Sequence, residues 1–144
     1  MAITSLLILV AIILVYIFIN IVEYFYLQQS SGKRRGEMDK LAAKHGLKNI
    51  FHKPNFIKCI FLISTDINTI EGRINNRQIK ITDKIRTWYW DANGAPYFYV
   101  CLTSLVIDGE TIQAHYAPKL KEISTRIRFI PIEELDRILT EETR

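Results

Sequence analysis

The chain has 144 residues and a net charge of +4 that hides an asymmetry: Lys33 to Arg86 holds 13 Lys and Arg against 5 Asp and Glu, whereas Thr87 onward holds 6 against 9. Once an apolar N-terminal segment is set aside, about 110 residues remain, room for one domain with a single core and too few for two. The basic residues are not interleaved with a recognition helix or a base-stacking motif, so no nucleic-acid partner is expected.

The first element runs from Ala2 to Val22, where only Thr4, Ser5 and Asn20 are polar and nothing is charged. As a helix rising about 1.5 Å per residue it reaches roughly 31 Å, the thickness of a hydrocarbon core. A cleaved signal peptide calls for a basic start, a shorter apolar stretch and a small-x-small cleavage site, but Glu23-Tyr24-Phe25-Tyr26 stands where that site belongs. Residues 1–27 are therefore read as a transmembrane anchor. Lys33, Arg34 and Arg35 lie just beyond it and are expected at the membrane surface; the positive-inside rule then puts the N-terminus outside and the remainder in the cytoplasm. The lack of any Asn-x-Ser/Thr acceptor agrees, as do two cysteines that need not pair in a reducing compartment.

Tyr16, Asn20 and Glu23 follow i, i+4, i+7 and share one stripe of the anchor. In one reading this stripe contacts a partner helix through Asn20. In the other, Glu23 and the tyrosines reach the headgroups and Asn20 bonds within its own helix.

Residues 28–36 read as a basic juxtamembrane linker, with Ser30-Ser31-Gly32 breaking the helix. The domain proper, 37–144, opens with a short amphipathic helix from Glu37 to His45. Met38, Leu41, Ala42 and His45 share one side of it, and Gly46 is its stop signal. From Phe56 the pattern changes to period two, and seven strands are predicted near Phe56–Ile63, Ile67–Ile74, Arg77–Thr82, Lys84–Asp91, Tyr97–Ile107, Glu110–His115 and Ile123–Ile130. Asn75-Asn76, Asn93-Gly94 and Asp108-Gly109 separate consecutive runs, the last two being strong type I′ hairpin signals. Pro131 to Glu142 is predicted as a helix with Pro at its first position, acidic residues near its positive end, and an apolar stripe of Ile132, Leu135, Ile138 and Leu139.

The fold class is thus α+β: an anchor helix, a short amphipathic helix, a seven-stranded antiparallel sheet or barrel, and a C-terminal helix. Seven antiparallel strands followed by such a helix resemble the pleckstrin-homology-like architecture over Phe56 to Glu142. The run Thr69-Ile70-Glu71-Gly72-Arg73-Ile74, with the helix end Leu41-Ala42-Ala43-Lys44-His45-Gly46-Leu47, looks like uncharacterised bacterial membrane-tethered proteins of that layout. Members of the family that bind phosphoinositides carry a basic cluster in the first hairpin loop, where this chain has Ser64-Thr65-Asp66. The resemblance implies a binding platform rather than inositide recognition.

Lys84, Arg86, Trp88 and Trp90 alternate along one strand, and if they form its outward face they offer a basic-aromatic surface for a partner or a headgroup. Otherwise the aromatics pack across the hairpin onto Tyr97, Phe98 and Tyr99. Cys59, Cys101, His45, His52 and His115 lack the paired spacing of a zinc site, so neither metal nor cofactor is expected. Nucleophile-elbow, phosphate-loop and zincin motifs are missing from the sequence. The expected function is a non-enzymatic, single-pass membrane protein that binds another integral membrane protein as an accessory or assembly subunit. The alternatives are a reader of anionic lipid surfaces and a tethered enzyme.

Overall fold

The computed structural model of the chain describes residues 2–53, 55–60, 65–86, 89–90, 96–97, 100–116, 119 and 129–144. Its first element is one unbroken helix, α1 (Ala2–His45), of 44 residues and about 66 Å. The helix break expected at residues 30–32 does not occur, so the amphipathic segment from Glu37 is the end of α1 and not a separate helix. Local and tertiary reasons agree. Ser31 Oγ donates to the Gln28 carbonyl at 3.0 Å, which keeps that hydroxyl satisfied within the helix. Further along, Met38, Leu41 and Ala42 are buried, and packing of this kind outweighs the weak helix propensity of Ser and Gly. The helix stops where the sequence says it should. Gly46 has φ 65°, its N–H donates to the Ala43 carbonyl at 3.3 Å, and the Leu47 N–H donates to the Ala42 carbonyl at 2.8 Å. This is the Schellman arrangement, which needs a residue tolerant of positive φ.

Beyond it come β1 (Lys48–Phe51), α2 (Phe56–Ile60), β2 (Thr65–Ile74), β3 (Arg77–Arg86), β4 (Tyr89–Trp90), β5 (Pro96–Tyr97), β6 (Val100–Ile107), β7 (Glu110–Thr111) and α3 (Ile132–Glu142). Five strands form an antiparallel sheet in the order β1-β2-β3-β6-β7, and β4 and β5 pair as a separate ribbon. Asn75 and Asn76, at φ 48° and 67°, make the tight turn between β2 and β3, and Asp108 with Gly109 does the same between β6 and β7.

The expected seven-stranded sheet or barrel is corrected to this open five-stranded sheet, whose edges are β1 and β7. With it goes the pleckstrin-homology-like layout, and the single-pass accessory-subunit architecture drawn on that platform. The expected first strand begins with a helix, α2, while β1 forms where no strand was expected. The strands expected on either side of Asp83 are one continuous β3. The strand expected at Glu110–His115 is two residues long before residues 113–116 take a helical turn. Of the last expected strand, Phe129 and Ile130 are not in a strand and the rest lies outside the described residues.

Helices α1 and α3 lie on one face of the sheet. Register places Ile70, Ile81 and Leu105 side by side across three strands, with Ile79 opposite Ile107. These pack against Met38, Leu41 and Ala42 of α1 and Leu135, Ile138 and Leu139 of α3. A smaller cluster of Ile67 and Ile85, with Tyr24, Phe51, Cys101 and Phe129 against it, lies toward the end of the sheet nearer the apolar segment.

Candidate functional site

Between these two apolar clusters the inward face of the sheet turns polar. Period two along β3 gives Ile79, Ile81, Asp83 and Ile85 the same face, and register aligns Asp83 with Asn68 on β2 and Thr103 on β6. The Asp83 side chain is 0% exposed, and Arg34 of α1 is 5% exposed above it. Arg34 Nε donates to Asp83 Oδ2 at 2.8 Å, and Nη2 donates to Oδ1 at 3.3 Å. Thr103 Oγ1 donates to Oδ1 at 2.7 Å and itself accepts the Ile130 N–H at 3.1 Å. Asn68 Nδ2 approaches Oδ2 at 3.5 Å. The Arg34 guanidinium also lies 5.1 Å from the centre of the Phe129 ring and 3.7 Å from a Glu37 carboxylate oxygen.

Four donors therefore converge on one carboxylate and occupy its lone pairs, so it is an anchor point rather than a base waiting for a substrate. A buried ion pair adds little net stability, because desolvation offsets the attraction, but it strongly penalises any packing that separates the partners. Its chemical capacity is to fix how α1 sits on the sheet. The Asn68 Oδ1 is buried with no hydrogen-bond partner among the described residues, an added cost of placing polar groups in this layer.

At the opposite end of the sheet, Lys44 and His45 of α1 reach Asp136 of α3; His45 Nε2 lies 2.7 Å from Asp136 Oδ1. The bonded Lys44 ammonium, and after it the His45 ring, hold the Asp136 carboxyl below the usual carboxylate range. Tyr116 donates to Glu142 at 2.9 Å, and burial beside the two terminal glutamates pushes its hydroxyl up to about 12. These contacts join α1 to α3, and α3 to the helical turn at 113–116.

The residues singled out in the sequence fall in different places. Lys33 and Arg35 are exposed, Arg35 standing 4.6 Å over the Phe51 ring and 3.8 Å from Asp39, whereas Arg34 points inward to Asp83. Asn20 is 3% exposed and its Nδ2 donates to the Tyr16 carbonyl at 2.7 Å; the Glu23 side chain lies outside the described residues. Lys84 sits on the face opposite the helices, 3.8 Å from Asp66, while the side chains of Arg86, Trp88 and Trp90 lie outside the described residues. Among the described residues no three His, Cys, Asp or Glu side chains gather as a metal site would require. Sequence reading passed over Asp83, Asn68 and Thr103. The available signal was three polar residues at inward positions of otherwise apolar strands, together with Arg34, Met38 and Leu41 spaced i, i+4, i+7.

Among the described residues one helix is long and apolar enough to cross a membrane, over Ile3–Val22. No family model matches the chain, and no curated protein or solved structure matches it.

Proposed function

We propose that the chain is a non-enzymatic protein held in a membrane by Ile3–Val22, with its N-terminus outside, and that its cytoplasmic sheet domain is a binding or assembly module for another integral membrane protein. The observation that carries this reading is the shared helix. The apolar segment and the helix that packs on the sheet are one α1, and Arg34 clamps it to Asp83 about 18 Å beyond Val22. A flexible tether would suffice to keep a domain near a membrane. A rigid one sets its height and orientation, and fixed presentation suits a partner embedded in the same bilayer.

Cross-linking in native membranes, followed by mass spectrometry, tests this directly. A reproducible integral neighbour linked to the sheet domain is the expected result, and recovery of the free chain alone overturns it. Labelling of Lys44→Cys, with Cys59 and Cys101 replaced by Ser, in intact cells tests the orientation: protection from an impermeant reagent outside the cell is expected, and ready labelling contradicts a cytoplasmic domain.

A further inference from the structure

Resting on the reading that Ile3–Val22 spans a bilayer, we infer that α2 and the loop before it form a second membrane contact. Phe56 and Ile57 enter the interfacial layer, and Lys53 and Lys58 meet the phosphates of anionic lipids. The Arg34–Asp83 clamp takes no part in it.

Height comes first. Tyr24 is two residues past Val22, about 3 Å further along the helix, and its ring meets the Phe56 ring edge-on at 5.3 Å. That contact places α2 level with the point where the apolar segment ends. Asn20, one turn before Tyr24, is 3% exposed, whereas Ile17 and Ile19 remain 39% and 46% exposed.

Chemistry follows. Ile57 and Phe25 are each 63% exposed, Phe56 is 36% exposed, and Val22 beside them is also exposed. These side chains continue the lipid-facing surface of the span onto the domain, which is why a bilayer fits the patch better than a soluble protein. Asn55 fixes the start of α2 by accepting the Ile57 N–H on its Oδ1 at 2.9 Å. Beside the apolar pair lies an open recess of about 510 Å³ whose walls include His52, Lys53, Asn55, Lys58 and Thr65. Among the described residues no ion pair engages Lys53 or Lys58. Asp66, a carboxylate in the wall of the recess, lies 3.8 Å from Lys84. Apolar side chains flanked by ammonium groups make the amphipathic pattern that lies in an anionic interface.

The test uses the full chain with Cys59 and Cys101 replaced by Ser, reconstituted in vesicles of phosphatidylcholine and phosphatidylglycerol. An environment-sensitive fluorophore is placed at Ile57→Cys, or at Leu14→Cys as a reporter of the span. Bromine-labelled acyl chains should quench both labels, and aqueous iodide neither. Lys53→Glu with Lys58→Glu should at least halve quenching at position 57 with phosphatidylglycerol present and leave it unchanged in phosphatidylcholine alone. Quenching at 14 but not at 57 overturns the inference and leaves the span standing. A dark 14 label that bromine does not reach removes the span and the inference with it. A 57 label shielded from both quenchers means a protein contact and also overturns it. Hydrogen exchange on the unmodified chain is the independent measurement: amides of 55–60 should slow at least threefold in anionic vesicles relative to detergent, and unchanged rates count against the contact.

Discussion

Along α1, residues 3–19 leave large apolar side chains exposed on every side of the helix, whereas Arg34 to His45 bury Met38, Leu41 and Ala42 and leave Lys40, Ala43 and Lys44 outside. The same secondary structure thus follows two solvation rules. In the second half, polarity varies around the helix because one side meets a sheet and the other meets water. In the first half it does not vary, and a helix apolar all round is suited to a uniformly apolar surrounding. The crossover between the rules begins at the buried Asn20 and at Tyr24, which packs on the Ile67–Ile85 cluster, and is complete at the Arg34 clamp, where a charged residue belongs to the buried stripe instead of the wet face.

The largest expected effect breaks that clamp. Asp83→Ala leaves Arg34 buried without its carboxylate and should destabilise the domain by about 3–5 kcal/mol, read as a lowered thermal midpoint of the full chain in detergent by near-UV circular dichroism. Arg34→Met combined with Asp83→Leu should recover most of that loss. If Asp83→Ala melts like the parent, the stripe and not the ion pair positions α1. Next comes Leu9→Arg, which should cost about 2.5–3.5 kcal/mol of membrane insertion and leave the domain's melting unchanged. Loss of carbonate-resistant membrane association is its measure, and an unfolded domain would show the two halves to be coupled.

Gly72→Ala tests the sheet side of the contact. Gly72 has φ 157°, and a Cβ there would lie 2.7 Å from Leu47 Cδ2 and 3.5 Å from Leu47 Cα, so backbone strain and overpacking together should cost about 1–3 kcal/mol, measured by the same melt; Leu47→Ala in the Gly72→Ala background should relieve only the packing part. The smallest effect is at the far end. Because Asp136 is held below the usual range by Lys44 and then His45, its contribution is present above the unfolded carboxylate value of about 3.9 and is lost as pH falls through the folded value. Asp136→Asn should therefore lower stability at pH 7 by under about 1 kcal/mol for this partly exposed pair and flatten the acid limb of the stability profile. An unchanged acid limb would mean that Asp136 does not link the helices.

Much of the fold was legible where one local rule governs. The Schellman stop at Gly46, the turns at Asn75-Asn76 and Asp108-Gly109, and the apolar stripe of α3 each depend on a few adjacent residues and are found where expected. Segments with mixed signals were misread. Phe56 to Ile60 is apolar enough for a strand, but with Asn55 at its start it makes a helical turn against Tyr24. Ser30-Ser31-Gly32 has the local propensity of a break, but the following turns pack on the sheet and the helix runs through it. The clamp was hidden for a related reason: Arg34 and Asp83 are 49 positions apart, and neither residue type announces burial.

The sequence by itself determined the apolar segment, the chain reversals and the faces of the strands, because covalent spacing and backbone sterics act within a few residues. Only the tertiary structure decided that α1 is unbroken, that the sheet stays open under two helices, and that Arg34 turns inward. Those outcomes depend on which surfaces meet. A buried charge is tolerated only where its partner and the surrounding donors come from other strands, and register across β2, β3 and β6 is what gathers them.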